Sequence, residues 1–136
     1  MKKLLVDTNI IIDLLAKREE FYKPAAQLFS LADQKKVELY LCSLSFATAH
    51  YILSRQIAES KVREILRKLK VLVNVISLDS KVLDLALNSD FKDFEDAIQY
   101  YAAIESRIDI IITRNLKDFR KSDIPAMTGQ EFLQIK

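Results

Sequence analysis

Glycine and cysteine are almost missing from this chain: it has one of each, Gly129 and Cys42, in 136 residues. A single cysteine excludes an internal disulfide and any cysteine-rich zinc site, and it suits a reducing compartment. A single glycine excludes the glycine-rich loops that cradle phosphates in P-loop and dinucleotide-binding proteins. The only histidine, His50, cannot build a two-histidine acid–base ribonuclease, and beside Tyr51 on a helical pattern it reads as a packed residue. With only two prolines, no internal repeat and no low-complexity tract, nothing divides the chain, so one domain over residues 1–136 is expected. No run approaches the roughly 20 apolar residues a membrane helix needs. Met1-Lys2-Lys3 leads into just three apolar residues before Asp7, too few for the core of a signal peptide, so a soluble, cytoplasmic protein without a membrane partner is expected. A net charge of +2 is too small to argue nucleic-acid binding by itself.

What is present is a globular composition, half hydrophobic and 29% charged, which argues against disorder. The chain is organised around its opening. Leu4-Leu5-Val6 reads as a buried strand, broken at once by Asp7-Thr8-Asn9 before a helical pattern begins at Thr8 or Asn9 and runs to about Lys17. A second helix opens with Pro24 in its first turn and carries Ala25, Leu28, Phe29 and Ala32 inward. Val37–Cys42 is a second strand, and Ser43 or Ser45 caps a helix through Leu53. Ala58, Val62, Ile65, Leu66 and Leu69 mark another helix. Its basic outer face reads as solvated, because Glu59 with Arg63 and Glu64 with Lys68 have the i,i+4 order that supports an exposed helix. Val71–Ile76 is a third strand and Asp79–Asn88 a short helix. Ser89 to Asp96 makes an acidic approach to a largely apolar helix, Ala97–Ser106, on which Tyr100 and Tyr101 read as core or dimer contacts. Asp109–Thr113 is the next strand, Ala126–Met127 a brief edge strand, and Thr128 with Glu131 has capping-box spacing. Strands alternating with helices imply an α/β fold with a parallel sheet covered on both faces.

Three acidic clusters fall where such a sheet gathers its ligand-binding ends: Asp7 after the first strand, Asp93 and Asp96 at a helix N-terminus, and Asp118 beyond the late strand. Converging carboxylates suit Mg²⁺ or Mn²⁺, which prefer oxygen ligands and keep several waters. Each acid also has a plainer reading. Asp7 suits a cap on the first helix, Asp93 and Asp96 suit the positive end of a helix dipole, and Asp118 suits a solvated loop. Asp13 either supports the site or pairs with Lys17 four residues on.

Val6-Asp7-Thr8-Asn9, Asp96-Ala97 opening an apolar helix, and Ile112-Thr113-Arg114-Asn115-Leu116-Lys117-Asp118-Phe119 resemble the three signatures of PIN domains, in particular the VapC-like toxins of toxin–antitoxin pairs. The resemblance runs through essentially the whole chain. It implies a PIN-like three-layer fold with a central parallel sheet flanked by helices, and a Mg²⁺- or Mn²⁺-dependent endoribonuclease acting on single-stranded RNA. It also implies a cognate antitoxin and a homodimer. By position, Asp7, Asp96 and Asp118 would be the catalytic metal ligands. Thr8 and Asn9 would line the pocket, Thr113 would position a water or phosphate, and Asn115 stands where many members carry another aspartate. The clear departure is Thr48, at the position where the family usually has a glutamate, with Glu95 and Asp93 as candidates to compensate. Arg114 and Lys117 are expected to hold the RNA backbone. Loss of that carboxylate also admits a weakened or noncatalytic module that binds RNA or a protein. A phosphatase using Asp7 covalently is disfavoured, because the residue two positions on is Asn9 rather than an acid.

Overall fold

The computed structural model describes residues 1–135. Five strands form one parallel sheet in the order β3-β2-β1-β4-β5, with β1 (Lys2–Val6) at its centre. On one side lie β2 (Val37–Cys42), in register Leu4↔Leu39, and beyond it β3 (Asn74–Ile76). On the other lie β4 (Ile110–Ile112), in register Val6↔Ile112, and β5 (Ala126–Met127). Strand order reverses between β1 and β4. This is where an open α/β sheet leaves a crevice at its carboxyl ends.

Both faces of the sheet are covered. Successive residues alternate between two cores, as strand geometry requires: Leu4, Val6, Ile110 and Ile112 face one, and Leu5 and Ile111 the other. The first core is closed by α1 (Thr8–Leu15), α2 (Glu19–Asp33), α3 (Ser43–Leu53), α4 (Glu59–Leu72) and α7 (Gly129–Ile135). The second is closed by α5 (Ser80–Leu87) and α6 (Phe94–Glu105). A fully buried Leu or Ile contributes about 1.5–3 kcal/mol, so these strands anchor the site that follows them. Among the described residues no helix is long and apolar enough to cross a membrane.

Three boundaries differ from the sequence reading. Helix α2 starts at Glu19, so Pro24 lies inside it rather than in its first turn; its missing N–H leaves Glu20 O without an i,i+4 partner, and the helix nevertheless continues to Asp33. Val71 and Leu72 are the last turn of α4 and are exposed, not part of a strand; an apolar run carries no period that separates the two. Helix α6 begins at Phe94, which brings Asp96 inside its first turn. The Thr128–Glu131 capping box forms as expected: the Glu131 N–H donates to Thr128 Oγ1 at 3.1 Å and the Thr128 N–H to Glu131 Oε1 at 2.9 Å. The scarcity of glycine also has a backbone consequence. Lys17, Lys35 and Arg107, which follow α1, α2 and α6, adopt φ of 51°, 59° and 55°, a left-handed conformation where glycine is the usual choice.

Candidate active site

Asp7 follows β1 directly and is 3% exposed; its N–H donates to Ile112 O of β4 at 2.9 Å, which pins it to the point of strand reversal. Its carboxylate makes no cap on α1. It accepts instead from Gln99 Nε2 at 3.1 Å and from Thr113 Oγ1 at 2.7 Å. The capping reading of Asp7 is therefore wrong: two donors from different elements hold this carboxylate. Thr113 Oγ1 in turn accepts from the Asn115 N–H at 3.0 Å, so the loop after β4 is set by the same group.

The N-terminus of α6 supplies the other acids, and here the plain reading holds for one of them. Asp93 caps the helix, accepting from the Asp96 N–H at 3.0 Å. Asp96 is 6% exposed, one turn below Gln99, so both side chains share the face that meets Asp7. Its carboxyl is pushed up to about 8, chiefly by burial and then by the charges of Asp7, Asp93 and Asp118. A helix N-terminus ordinarily favours ionised carboxylates, so desolvation and like charge outweigh the dipole here.

Glu95 reaches across to α1 and α3. Thr8 Oγ1 donates to Glu95 Oε2 at 2.7 Å and Thr48 Oγ1 to Oε1 at 3.3 Å. Thr8 Oγ1 also lies 2.7 Å from Ser45 Oγ; since its one proton goes to Glu95, Ser45 is the donor in that pair. Asp7, Thr8, Asn9, Thr48, Asp93, Glu95, Asp96 and Asn115 line one cavity of about 180 Å³, with Ile12 and Ile52 completing its wall. Asp118, on the 3₁₀ turn Leu116–Phe119, is exposed and lines a neighbouring cavity instead; it stands at the rim, near enough for its charge to bear on Asp96.

Three expectations are corrected. Arg114 does not face this cavity. Its Nε and Nη2 donate to Asp13 Oδ2 and Oδ1 at 2.8 and 3.0 Å, and its guanidinium lies 4.0 Å from the centre of the Phe21 ring. Asp13 is fully buried and takes Arg114, with Arg18 at 3.4 Å, as its partners rather than Lys17. His50 pairs with the exposed Glu59 at 3.0 Å and is not packed in the core. Two contributors were missed, Ser45 and Gln99. Gln99 had a signal: it is the one amide on a helix stretch otherwise apolar, three residues after Asp96.

Among the described residues, no three or more His, Cys, Asp or Glu side chains are grouped so as to hold a metal ion by themselves, as a closed cage would. A Mg²⁺-type ion needs no such cage, since it keeps most of its waters and takes one or two carboxylates. The donor set fits it. Four carboxylates border one small cavity, and Gln99 Oε1, buried beside Asp7, has no hydrogen-bond partner.

Residues 3–117 match the model of the PIN domain family. Ribonuclease VapC1 of Aquifex aeolicus (strain VF5) is 28% identical over 137 residues, covering 98% of this chain and 94% of that protein. Among solved structures, a toxin–antitoxin complex from Klebsiella pneumoniae matches with a TM-score of 0.68 and 25% identity, covering 93% of this chain and 97% of the matched one. DNA-bound VapBC from Salmonella typhimurium matches with a TM-score of 0.72 and 14% identity, covering 95% and 99%. A family match over most of the length, on a parallel sheet whose reversal point carries the acids, has one meaning: the chain belongs to the PIN domain family.

Proposed function

We propose that this protein is a Mg²⁺- or Mn²⁺-dependent endoribonuclease that hydrolyses phosphodiester bonds in single-stranded RNA, and the toxin of a toxin–antitoxin pair. The observation that carries this reading is the gathering of Asp7, Asp93, Glu95 and Asp96 around one cavity at the strand reversal, with Asp118 at its rim. The similarity to a protein named a ribonuclease and to VapBC complexes supports the activity and the antitoxin partner. Asp7, Asp96 and Asp118 would hold the cation. Bound there, it would lower the pKa of a water and offset charge on the phosphate. Gln99 and Thr113 fix the direction of Asp7, so the carboxylate need not reorganise when substrate arrives. A cytoplasmic location and a homodimer belong to the same reading; exposed Leu83, Leu87 and Ile104 on α5 and α6 give a second copy an apolar surface to cover.

Thr48 does not leave the pocket one acid short. Glu95 brings a carboxylate to it from the opposite helix, which supports an enzyme over a noncatalytic module. Glu95→Gln should therefore weaken Mn²⁺ binding by about 10- to 100-fold, and Thr48→Glu in that background should recover most of the loss, read by titration calorimetry. Unchanged affinity in Glu95→Gln would remove Glu95 from the metal's surroundings.

The direct test is cleavage of single-stranded RNA by the purified protein. Cutting should require Mn²⁺ or Mg²⁺, stop in EDTA and resume when the ion is restored. Cutting that persists in EDTA, or none with the ion present, would overturn the proposal.

A further inference from the structure

The acidic cavity has a basic neighbour. A second cavity, of about 300 Å³, is lined by Asp90, Phe91 and Lys92 from the segment before α6, by Lys117 and Asp118 on the 3₁₀ turn, and by Arg120 and Lys121 just after it. Lys92 directly precedes Asp93, and Lys117 lies two residues past Asn115; Asp93 and Asn115 line the acidic cavity, so the two cavities adjoin. Lys121 is engaged by Asp90 at 2.6 Å. Among the described residues no ion pair neutralises Lys92, Lys117 or Arg120. On α4, by contrast, Arg63 and Lys68 are paired within their own helix. Phe91, in the wall of the groove, packs against Tyr100 at 5.1 Å and Phe119 at 6.3 Å between ring centres, a support that holds the surrounding cations in place.

We propose that this groove is the track for the backbone of single-stranded RNA beside the cleavage site, with Lys92, Lys117 and Arg120 contacting successive phosphates. The inference rests on the nuclease reading. An acidic cavity repels a polyanion, so phosphates flanking the reacting one must be held by cations within a Debye length, about 8–10 Å. This groove offers uncompensated cations beside an aromatic wall, as single-strand tracks do.

The test uses the full chain and a labelled single-stranded RNA oligonucleotide. Binding is measured in EDTA across a salt series and cleavage in Mn²⁺, for wild type and the double variant Lys92→Gln/Arg120→Gln. Both positions are exposed, so folding is preserved and is checked by Tm. The slope of log K against log salt should become shallower by about 0.7 for each cation lost, about 1.4 for the pair, and KM should rise about tenfold. Lys61→Gln on α4 should change neither. A wild type that cuts RNA while the double variant keeps its slope and KM would overturn the track and leave the nuclease standing. A wild type that binds with the expected loss in the variant but never cuts would sustain the track and remove the nuclease. Failure of the wild type to bind RNA at low salt overturns the track. So does binding of poly-glutamate that depends on these cations when RNA binding does not; that outcome assigns the groove to an acidic protein segment.

Discussion

Asp96→Asn should produce a metal-free protein that is more stable than the wild type at pH 7.5 and inactive on RNA. In the folded state the Asp96 carboxyl titrates at about 8 because burial, then Asp7, Asp93 and Asp118, disfavour its charge; unfolded, it titrates near the ordinary value of about 3.9. Between these values the native state binds more protons than the unfolded one, so stability falls as pH rises. The stabilising contribution of the protonated form is complete below about pH 4 and gone once the pH has passed about 8. Asparagine keeps the shape without the charge. It should raise stability at pH 7.5 by about 2 kcal/mol, or about 8 °C in Tm, and flatten the fall seen in the wild type between about pH 5.5 and 8.5 in EDTA. Mn²⁺ should raise the Tm of the wild type strongly and that of the variant little. Cleavage should drop about 100-fold or more, since the loss of a ligand exceeds the 10- to 100-fold cost of removing a residue that only orients one. An Asp96→Asn protein less stable than wild type in EDTA at pH 7.5 would mean that the acids do not crowd one another.

Arg114→Ala should cost about 3 kcal/mol of stability, a fall of about 10 °C in Tm, because it leaves a fully buried carboxylate with only Arg18 at 3.4 Å. The bidentate pair ties the loop after β4 to α1, and a charge buried without its partner is far more costly than a surface pair. Replacing both members, Asp13→Leu with Arg114→Leu, should recover most of the loss, because no charge is then left unpaired. Denaturant midpoints decide the matter. A loss in Arg114→Ala below about 0.5 kcal/mol, the size seen for surface substitutions, would show that water or another group serves Asp13. The same substitution should leave the salt dependence of RNA binding as it is, since this guanidinium neutralises Asp13 rather than a phosphate.

The alternation of apolar strands and amphipathic helices was legible because period is a local property. Leu4 to Val6 and Ile110 to Ile112 announced themselves as buried strands, and the order of the elements required a parallel sheet. Boundaries were less legible. Val71 and Leu72 are apolar and exposed, and composition alone does not say that a helix continues through them. Asp93 and Asp96, three residues apart, were both readable as helix-start acids. Only the coordinates divide their work, the first capping and the second turned inward.

Arg114 shows the limit most clearly. Its place within a resembling motif suggested RNA, yet its partner, Asp13, is 101 residues away in sequence. Gln99 with Asp7 and Glu95 with Thr8 and Thr48 are pairings of the same kind. The amino-acid order by itself determined which segments fold, that they stack as a parallel α/β sheet, and which acids sit at the ends of strands and helices. Direction was settled only by tertiary structure: which carboxylates meet, which one keeps its proton, and which cation is consumed inside the fold. The reason is physical. Periodicity acts over a few residues, whereas desolvation and Coulomb interaction depend on distances in space, which the chain sets only when it closes.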